Sequence, residues 1–300
     1  MNYYVDWINV YKPKNISSFG VIQKIKKKFN ILKIGHAGTL DPNAEGILPI
    51  ALGKTTKLIS LINNKIKVYE FEIKWGQQTT TDDKEGKIIE ISENIPSKNA
   101  IEKKLINFIG NIVQKPPKVS AVKVNGKRAY HRFRNNEVFE TRERIVRVYD
   151  LKFIRQSRDT ISKFIVECGK GFYVRSFARD LGELLNTKAH IYSIKRLKVG
   201  NFTEKNSILL DDLLKMSEMA NGIRGLHSSV SMLDDIPAFE IDSNEMLNNI
   251  SHGKKIRIDV LLNRSLIPSI KKNCFATYKG KIISLGEIDG FFFKPKKVLL

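Results

Sequence analysis

The segment from residue 35 to residue 57 constrains the fold of this chain more than any other part of the sequence. It reads GHAGTLDPNAEGILPIALGKTTK, and in it Asp41 is followed directly by Pro42 between two glycines, Gly38 and Gly46. Glycine adopts a positive φ easily, and proline fixes its own φ and restricts the residue before it. We therefore expect a sharp bend at Asp41 and a stiff loop that presents a short carboxylate. For a lone Asp-Pro, an ordinary turn is the simpler interpretation.

The balance of charge indicates the kind of partner. The 300 residues include 52 Lys+Arg and 31 Asp+Glu, which gives a net charge of +21. Such an excess favours a polyanionic partner, and nucleic acid is the commonest one. A lysine-rich composition shared by all proteins of one genome is the alternative explanation. The hydrophobic share of 42% is ordinary for a globular protein, and the length leaves room for one large core or two domains.

Several classes of protein are disfavoured by the sequence. Cys168 and Cys274 lie far apart and form no CxxC or Cys/His ligand spacing, which argues against structural zinc and a disulfide scaffold. The N-terminus lacks the charged-then-apolar pattern of a signal peptide. No apolar run reaches the ~18 residues that a membrane-spanning helix needs. We therefore expect a cytoplasmic protein with no metal and no membrane segment.

Periodicity predicts the elements around the Asp41 loop. A helix should begin at Ser17-Ser18, with a face of lysines at positions 24 and 26–28 opposite its apolar side. Apolar and polar residues alternate from 69 to 75, which predicts a half-buried strand, and residues 144–149 and 163–168 have strand character. Residues 174–185 form a strongly amphipathic helical pattern. Residues 114–130 form an exposed basic loop with an Asn-Gly turn.

The C-terminal part of the chain has a different pattern. From about Pro237 it consists of short strands and turns, with hairpin signals at Lys279-Gly280 and Asp289-Gly290. Residues 221–225 are the best linker candidate. We therefore predict two domains, residues 1–230 and residues 237–300, the second a small basic β-module.

Four segments, taken in order, resemble the bacterial tRNA pseudouridine synthases of the TruB type. They are the Asp41 loop, a Lys-x-Tyr strand that leads into a Gly-Gln-x-Thr-x-Thr turn (67–86), the basic segment 114–130, and a Gly-x-Tyr-x-Arg block (171–175) before an Asp-Leu-Gly helix. The resemblance covers roughly residues 5–202 and departs from the family pattern after Tyr130. It implies an α+β fold with a mixed, largely antiparallel sheet and flanking helices. The C-terminal module would correspond to the family's small β-rich PUA-like domain.

The resemblance also assigns roles to residues. Asp41 would be the nucleophile, and Arg175 would pair with it, because a planar guanidinium matches a carboxylate and stays protonated. Tyr69 would stack on the uracil and is a candidate proton acceptor at C5. His36 would help to occupy the space left by the flipped nucleotide. The remaining pocket residues would be Tyr173 and Ile194, with isoleucine where the family generally has leucine.

The implied activity is the isomerisation of uridine 55 in the T-loop of tRNA to pseudouridine, by a monomer that uses no metal or organic cofactor. The uridine must leave the base stack to be reached, and the carboxylate could attack either C6 of the base or C1′ of the ribose. The T-arm backbone would be held by basic side chains from the helix and from the loop: Lys24, Lys27, Lys123 and Arg128.

The residues alone leave alternatives open. Tyr69 shares a strand face with core aromatics, and Arg175 and Arg179 fit a solvated helix face equally well. Asp82 and Asp83 fit a turn better than a second acid/base pair. A non-catalytic RNA-binding or RNA-folding protein of the same fold is the first rival function. A glycosidase-like hydrolase would need a second carboxylate at a defined distance, and the glycine spacing before Gly-Lys-Thr does not fit a P-loop.

Overall fold

The fold is taken from a computed structural model that describes residues 6–158, 160–218, 224–258 and 271–300. The strands of this part are β1 (Asp6–Lys12), β2 (Ile34–His36), β3 (Glu45–Leu52), β4 (Lys67–Trp75), β5 (Gln77–Thr79), β6 (Ile88–Ile91), β7 (Gly110–Gln114), β8 (Lys123–Val124), β9 (Lys127–Arg128), β10 (Arg144–Arg158), β11 (Ile161–Cys168), β12 (Ala189–Val199), β13 (Phe202–Thr203), β14 (Ile208–Leu209), β15 (Leu226–Ser228), β16 (Ala238–Glu240), β17 (Ile256–Arg257), β18 (Lys271–Tyr278), β19 (Lys281–Asp289) and β20 (Phe292–Val298). The α-helices are α1 (Ser18–Phe29), α2 (Ile59–Asn63), α3 (Lys98–Leu105), α4 (Ala129–Arg134), α5 (Val174–Leu184), α6 (Leu210–Lys215), α7 (Ser229–Met232) and α8 (Asn244–Ser251). Single 3₁₀ turns cover Gly53–Leu58, Ile106–Phe108 and Glu204–Asn206.

Eleven of the described strands form one mixed sheet. Its main path runs β14-β1-β3-β12-β4-β11-β10-β7, and β15, β2 and β13 pair with β1, β3 and β12. Two neighbouring pairs, β1 with β14 and β3 with β12, are parallel, and the others are antiparallel. The predicted mixed, largely antiparallel sheet with flanking helices is therefore confirmed. The parallel contact of β3 with β12 places the Asp41 loop, which precedes β3, at the centre of the sheet.

Helix α1 begins where the sequence predicts. Ser17 is its N-cap, with a side chain that accepts a hydrogen bond from the N–H of Gly20. Val21 and Ile25 are buried against the sheet, while the lysines at 24 and 26–28 are exposed. The predicted basic face is therefore confirmed as a solvent-facing surface.

Strand β4 and helix α5 pack together through aromatic rings. Phe71 on β4 stacks on Phe164 of β11 with ring centroids 5.5 Å apart, and meets Phe177 of α5 edge to face at 5.6 Å. All three rings are fully buried, and burial of such rings is a large stabilising contribution. This packing fixes the start of α5 above β4, where Arg175 lies.

Strands β1 and β3 are buried on both faces. Helices α1 and α6 cover one face through an apolar cluster that includes Ile8 and Leu48. The other face belongs to a cluster in which Trp7 shares a core with Phe275 and Leu285 of the C-terminal strands. The C-terminal part of the chain therefore packs directly on the large sheet.

The C-terminal strands form a separate five-stranded sheet in the order β16-β18-β19-β20-β17. Lys279 and Gly280 have φ values of 50° and 70°, and Gly290 has a φ of 57°, so both predicted hairpin turns are confirmed. The predicted linker falls largely on residues 221–223, which lie outside the described residues. Gly225 is described, and its carbonyl accepts a hydrogen bond from the N–H of Asn9 on β1 at 2.7 Å.

Candidate active site

A cavity of about 590 Å³ opens beside the Asp41 loop. Its walls are the Asp41 loop, strands β4 and β12, the segment 169–175 and residues 120–121 of the basic segment 114–130. Asp41 is the only carboxylate among the described lining residues, and four cations accompany it: Lys67, Lys170, Arg175 and Arg196. The site therefore combines one carboxylate, which can act as a nucleophile, with a positively charged surface that attracts phosphate.

Two buried side chains fasten the Asp41 loop. Ser18 Oγ accepts a hydrogen bond from the N–H of Leu40 at 2.8 Å and donates to the carbonyl of the same residue at 3.0 Å. Lys12, fully buried, donates from Nζ to the carbonyl of Pro42 at 3.0 Å and to two further carbonyls. Burial lowers the pKa of Lys12 to about 8, and the charge of Asp41 acts in the opposite direction. The peptides on both sides of Asp41 are therefore held.

The two glycines have the roles that their positions predict. Gly38 has a φ of 92° and Gly46 a φ of 109°. At Gly46 the parallel contact with β12 is so close that a Cβ atom would overlap the backbone carbonyl and amide of Arg196. Glycine at 46 is thus required by backbone conformation and by space together.

Asp41 and Arg175 form a two-point ion pair at the cavity wall. Nε of Arg175 lies 3.1 Å from Oδ2 of Asp41, and Nη2 lies 3.2 Å from Oδ1. The Arg175 side chain is only 6% exposed, whereas Asp41 is 41% exposed. A guanidinium that is buried and fixed holds the accessible carboxylate in one orientation.

Arg175 is itself held by backbone carbonyls. Nη1 donates to the carbonyl of Thr81 at 3.1 Å, and Nη2 donates to the carbonyl of Val119 at 2.8 Å. Nη1 also lies 3.5 Å from Oδ2 of Asp83. The interpretation of Arg175 as part of a solvated helix face is therefore wrong, because α5 buries this residue between three chain segments.

Tyr69 is both a core residue and a cavity residue. It belongs to the apolar cluster around Phe71, and its ring also lines the cavity. Its register partner on β12 is Arg196. Burial raises the pKa of Tyr69, and Arg196 acts against this effect. The phenol is therefore neutral at ordinary pH.

His36 lies on β2, at the edge of the cavity. Its Nδ1 is buried and has no hydrogen-bond partner among the described residues. Burial lowers the pKa of His36 to about 4, and the positive charge of Arg196 acts in the same direction. His36 is thus a neutral imidazole at the edge of the cavity.

Tyr173 and Ile194 also line the cavity, as the family resemblance implies. Tyr173 is positioned by its backbone, because its N–H donates to Oε1 of Gln114 at 3.0 Å and its carbonyl accepts from Nε2 of Gln114 at 3.3 Å. Ile194 on β12 packs against the apolar cluster of β4 and α5. The structure therefore brings Asp41, His36, Tyr69, Tyr173, Arg175 and Ile194 to one cavity.

The interpretation of Asp82 and Asp83 as turn and surface residues needs correction. Asp82 does lie in a turn, with a φ of 59°, but it is only 8% exposed. Its carboxylate accepts hydrogen bonds from Gln78 Nε2 at 2.6 Å and from Arg179 Nη1 at 3.2 Å. The sequence did not indicate this pairing because the partner, Arg179, is distant in sequence.

The four basic residues expected at the RNA backbone are all exposed. Lys24 and Lys27 lie on α1, and Lys123 and Arg128 pair across the β8–β9 hairpin, whose turn is Asn125-Gly126. The basic segment 114–130 is less exposed than predicted, because residues near its two ends are buried: Gln114 is 1% exposed and Ala129 is fully buried.

Two buried cavity cations were not anticipated from the sequence. Arg196 is 1% exposed, and its guanidinium donates to the carbonyls of Gly38 at 3.0 Å and Ile47 at 2.7 Å, on either side of Asp41. Lys67 donates from Nζ to the carbonyls of Asn63 and Lys65, and burial lowers its pKa to about 8. The sequence did contain a signal for both residues. Each is a basic residue inside a strand-like segment, and basic residues are unusual in buried strands.

None of the helices in the described ranges is both long and apolar enough to cross a membrane.

Solved structures with the same fold include the chain of a Cbf5-Nop10-Gar1 complex (TM-score 0.74, 23% identity, 99% of this chain and 85% of that chain) and that of an archaeal box H/ACA sRNP Nop10-Cbf5 complex (TM-score 0.73, 20% identity, 99% and 87%). This coverage includes the C-terminal sheet, so the expected architecture of both parts is confirmed as a fold.

Sequence relatives are closer. "tRNA pseudouridine synthase B" of Agrobacterium fabrum is 37% identical over 97% of this chain and 93% of its own, and that of Ehrlichia ruminantium is 40% identical over 97% and 98%. The profile of the TruB family pseudouridylate synthase (N terminal domain) matches residues 26–174, and that of the tRNA pseudouridylate synthase B C-terminal domain matches residues 175–234. With identities of this size over nearly the whole length, the chain belongs to the TruB family.

Proposed function

We propose that this protein isomerises a uridine of tRNA to pseudouridine, at position 55 of the T-loop, with Asp41 as the nucleophile. The observation that carries the proposal is the ion pair of Asp41 with the buried Arg175 in a cavity whose other described charges are positive. A protein that only binds RNA has no use for a carboxylate directed toward a polyanion. The names of the relatives that match nearly the whole chain support the same activity.

The reaction conserves all atoms of the uridine. The bond from C1′ to N1 breaks, the base turns, a bond from C1′ to C5 forms, the hydrogen on C5 leaves as a proton, and N1 gains one. One carboxylate is sufficient for these steps, by attack at C6 of the base or at C1′ of the ribose. The groups at the cavity supply a nucleophile and its orientation, and the reaction includes no redox step.

The cavity suits a flipped nucleotide. Tyr69 would stack on the uracil, with Tyr173 and Ile194 at its edges, because aromatic faces bind extruded bases well. His36 would take up space that the flipped nucleotide leaves. If Tyr69 accepts the C5 proton, Arg196 must assist it, because burial holds the phenol in its neutral form.

RNA would dock across basic surfaces around the cavity. Lys24 and Lys27 on α1 and Lys123 and Arg128 on the β8–β9 hairpin would contact phosphates of the T-arm, which set position and affinity. Residues 1–230 would form the catalytic domain and residues 237–300 an appended RNA-binding domain of the PUA-like type. The protein would act as a cytoplasmic monomer.

The test is tritium release from a tRNA transcript labelled at C5 of its uridines. Formation of the new carbon–carbon bond expels that hydrogen, so release reports isomerisation directly. We expect about one equivalent from the wild type, none from Asp41→Asn, and wild-type release from the control Asp211→Asn, which changes an exposed carboxylate on α6. A transcript with cytidine at position 55 should release none.

Other outcomes would change the proposal in specific ways. Release that persists with cytidine at position 55 would move the target to another uridine. No release by the wild type, with tight and salt-sensitive binding retained, would favour an RNA-folding protein. Loss of tRNA binding by Asp41→Asn in step with turnover would make the loop structural.

A further inference from the structure

A second group of polar side chains, largely but not fully buried, lies behind Arg175. Asp82 and Arg179 are 11% and 19% exposed at their side chains, and Arg179 Nη1 lies 3.2 Å from Asp82 Oδ2. The other Asp82 oxygen accepts from Gln78 Nε2 at 2.6 Å. Arg179 also donates to Oδ1 of Asp180, from Nε at 3.0 Å and from Nη2 at 2.8 Å. Neither Asp82 nor Arg179 lines the cavity that contains Asp41.

Asp82 determines the conformation of a turn that supplies two partners of Arg175. The residue before it, Thr81, provides the carbonyl that accepts from Arg175 Nη1 at 3.1 Å, and the residue after it, Asp83, has its Oδ2 3.5 Å from the same nitrogen. Asp82 itself has a φ of 59°, a conformation that costs free energy for a residue other than glycine. Its carbonyl accepts from the N–H of Ile191 at 3.0 Å, so side chain and backbone together hold the turn.

Arg179 secures the other backbone partner of Arg175. It lies one helical turn beyond Arg175 on α5, and its Nη2 donates to the carbonyl of Lys115 at 2.9 Å. Ser176 Oγ donates to the same carbonyl at 2.8 Å. Four residues further along this segment, Val119 provides the carbonyl that accepts from Arg175 Nη2 at 2.8 Å. Arg179 therefore connects the turn at residue 82 with the segment 115–119.

We propose that Asp82 and Arg179 form a positioning pair that sets the orientation of Arg175 and, through it, of the Asp41 carboxylate. The inference rests on the proposed function, since it concerns the rate of that reaction. The pair acts without contact to the substrate. Each member fixes a backbone carbonyl, of Thr81 or of Val119, against the guanidinium.

The ion pair offsets part of the cost of burying the Asp82 carboxylate. Burial raises the pKa of Asp82, while Arg179 and then Arg175 act to lower it and Asp83 acts to raise it. Asp180 faces the same guanidinium of Arg179. Removal of Arg179 would leave the Asp82 carboxylate without this ion-pair partner, and removal of Asp82 would leave Arg179 paired with Asp180 alone. In either case the turn or the segment 115–119 would shift.

The test compares Asp82→Asn, Arg179→Lys and the double variant Asp82→Asn/Arg179→Lys with wild type. Rate constants for tritium release are measured with enzyme in excess over labelled tRNA, and tRNA affinity and melting temperature are measured on the same preparations. We expect each single variant to lose at least tenfold in rate constant with affinity within threefold. The double variant should be no slower than the slower single variant, because the two residues act as one unit.

The control is Glu70→Gln, which removes a partly buried ion pair between β4 and β11 that includes neither Arg175 nor its partners: Lys163 Nζ lies 2.8 Å from Glu70 Oε1, with side chains 22% and 29% exposed. It should lower the melting temperature without changing the rate constant. Rate constants of both single variants within threefold of wild type would overturn the positioning role, whatever their melting temperatures. If Asp82→Asn does not fold, Arg179→Lys decides, since it keeps the positive charge. Absence of release by the wild type would reject the proposed function, and the positioning role with it.

Discussion

Ser18 and Leu40 are joined by a pair of hydrogen bonds that fastens helix α1 to the Asp41 loop. The serine Oγ accepts from the leucine N–H at 2.8 Å and donates to its carbonyl at 3.0 Å. Leu40 directly precedes Asp41, and Ser18 is 1% exposed. The start of a helix that presents lysines to solvent is therefore in direct contact with the backbone of the proposed nucleophile.

Ser18→Ala should lower both stability and turnover. Loss of the hydroxyl leaves a buried N–H and a buried carbonyl without partners, which costs ~1–3 kcal/mol, and frees the peptide before Asp41. The matched control is Ser17→Ala, which removes only the N-cap bond to Gly20 at a cost of ~1 kcal/mol. Urea unfolding and tritium release on both variants check the prediction. Equal turnover in the two variants would contradict it.

Gly46→Ala should be much more damaging than the same change at another glycine with positive φ. The added Cβ would overlap the backbone carbonyl and amide of Arg196, and because both are backbone atoms in a parallel strand pair, the sheet itself must shift. We expect a loss of at least ~3 kcal/mol in the free energy of unfolding. At Gly126, which has a φ of 81° and where an added Cβ would meet no atom within 4 Å, alanine should cost ~1–2 kcal/mol. Similar losses at both positions would refute the steric argument.

The sequence was sufficient for those features that depend on local pattern. Gly38, Asp41 and Gly46 predict a fixed loop, because positive φ and Asp-Pro geometry are properties of neighbouring residues. Alternation at β4 and the helical period of α5 likewise predict which face is buried. Resemblance then linked Asp41 with Arg175, a pair 134 positions apart that no periodicity could join.

The sequence was insufficient where partners are backbone atoms. Arg196 donates to the carbonyls of Gly38 and Ile47, and Arg175 to those of Thr81 and Val119. Every residue has a carbonyl, so such acceptors have no sequence signature. For the same reason the partial burial of Arg179 could not be distinguished from a solvated helix face until the segment 115–119 was placed against α5.

Arg175→Lys should lower turnover strongly although it keeps the positive charge. A lysine ammonium cannot contact both oxygens of Asp41 and two backbone carbonyls at once, because it is a point charge rather than a planar fork. We expect a loss of ~100-fold in the rate constant for tritium release, comparable to removal of one preorganised active-site donor, with tRNA affinity within a few-fold. Arg147→Lys, a change at an exposed arginine on β10, is the control. An unchanged rate for Arg175→Lys would remove the two-point contact from the mechanism.

His36 should make the protein less stable as the pH falls from 6.5 to 4. The pKa of His36 is lowered from 6.5 to about 4 in the folded protein, first by burial and then by Arg196. In this window the unfolded chain binds more protons than the folded one, so the free energy of unfolding decreases as the pH decreases, by at most ~3 kcal/mol. The measurement is urea unfolding of wild type and His36→Gln from pH 4 to 7.5.

The difference between the two proteins isolates His36 from other titrating groups. Wild type should lose more stability than His36→Gln on acidification, and the exposed His252 provides the control substitution His252→Gln, which should follow wild type. Parallel curves for wild type and His36→Gln would show that the imidazole is not held neutral by its surroundings.

The lysines of α1 should contribute to tRNA binding through phosphate contacts and not through turnover. Lys24→Gln/Lys27→Gln should weaken tRNA binding and reduce the slope of log Kd against log salt by about 1 for each contact removed. The matched control is Lys103→Gln/Lys104→Gln, which removes the same charge from α3, a helix packed on β10 at the other end of the sheet. Net charge falls equally in both double variants, so a general loss of attraction would affect them alike. A salt slope that changes only in the α1 variant would place RNA on the helix that fastens the Asp41 loop, whereas equal changes would mean that this helix is not part of the docking surface.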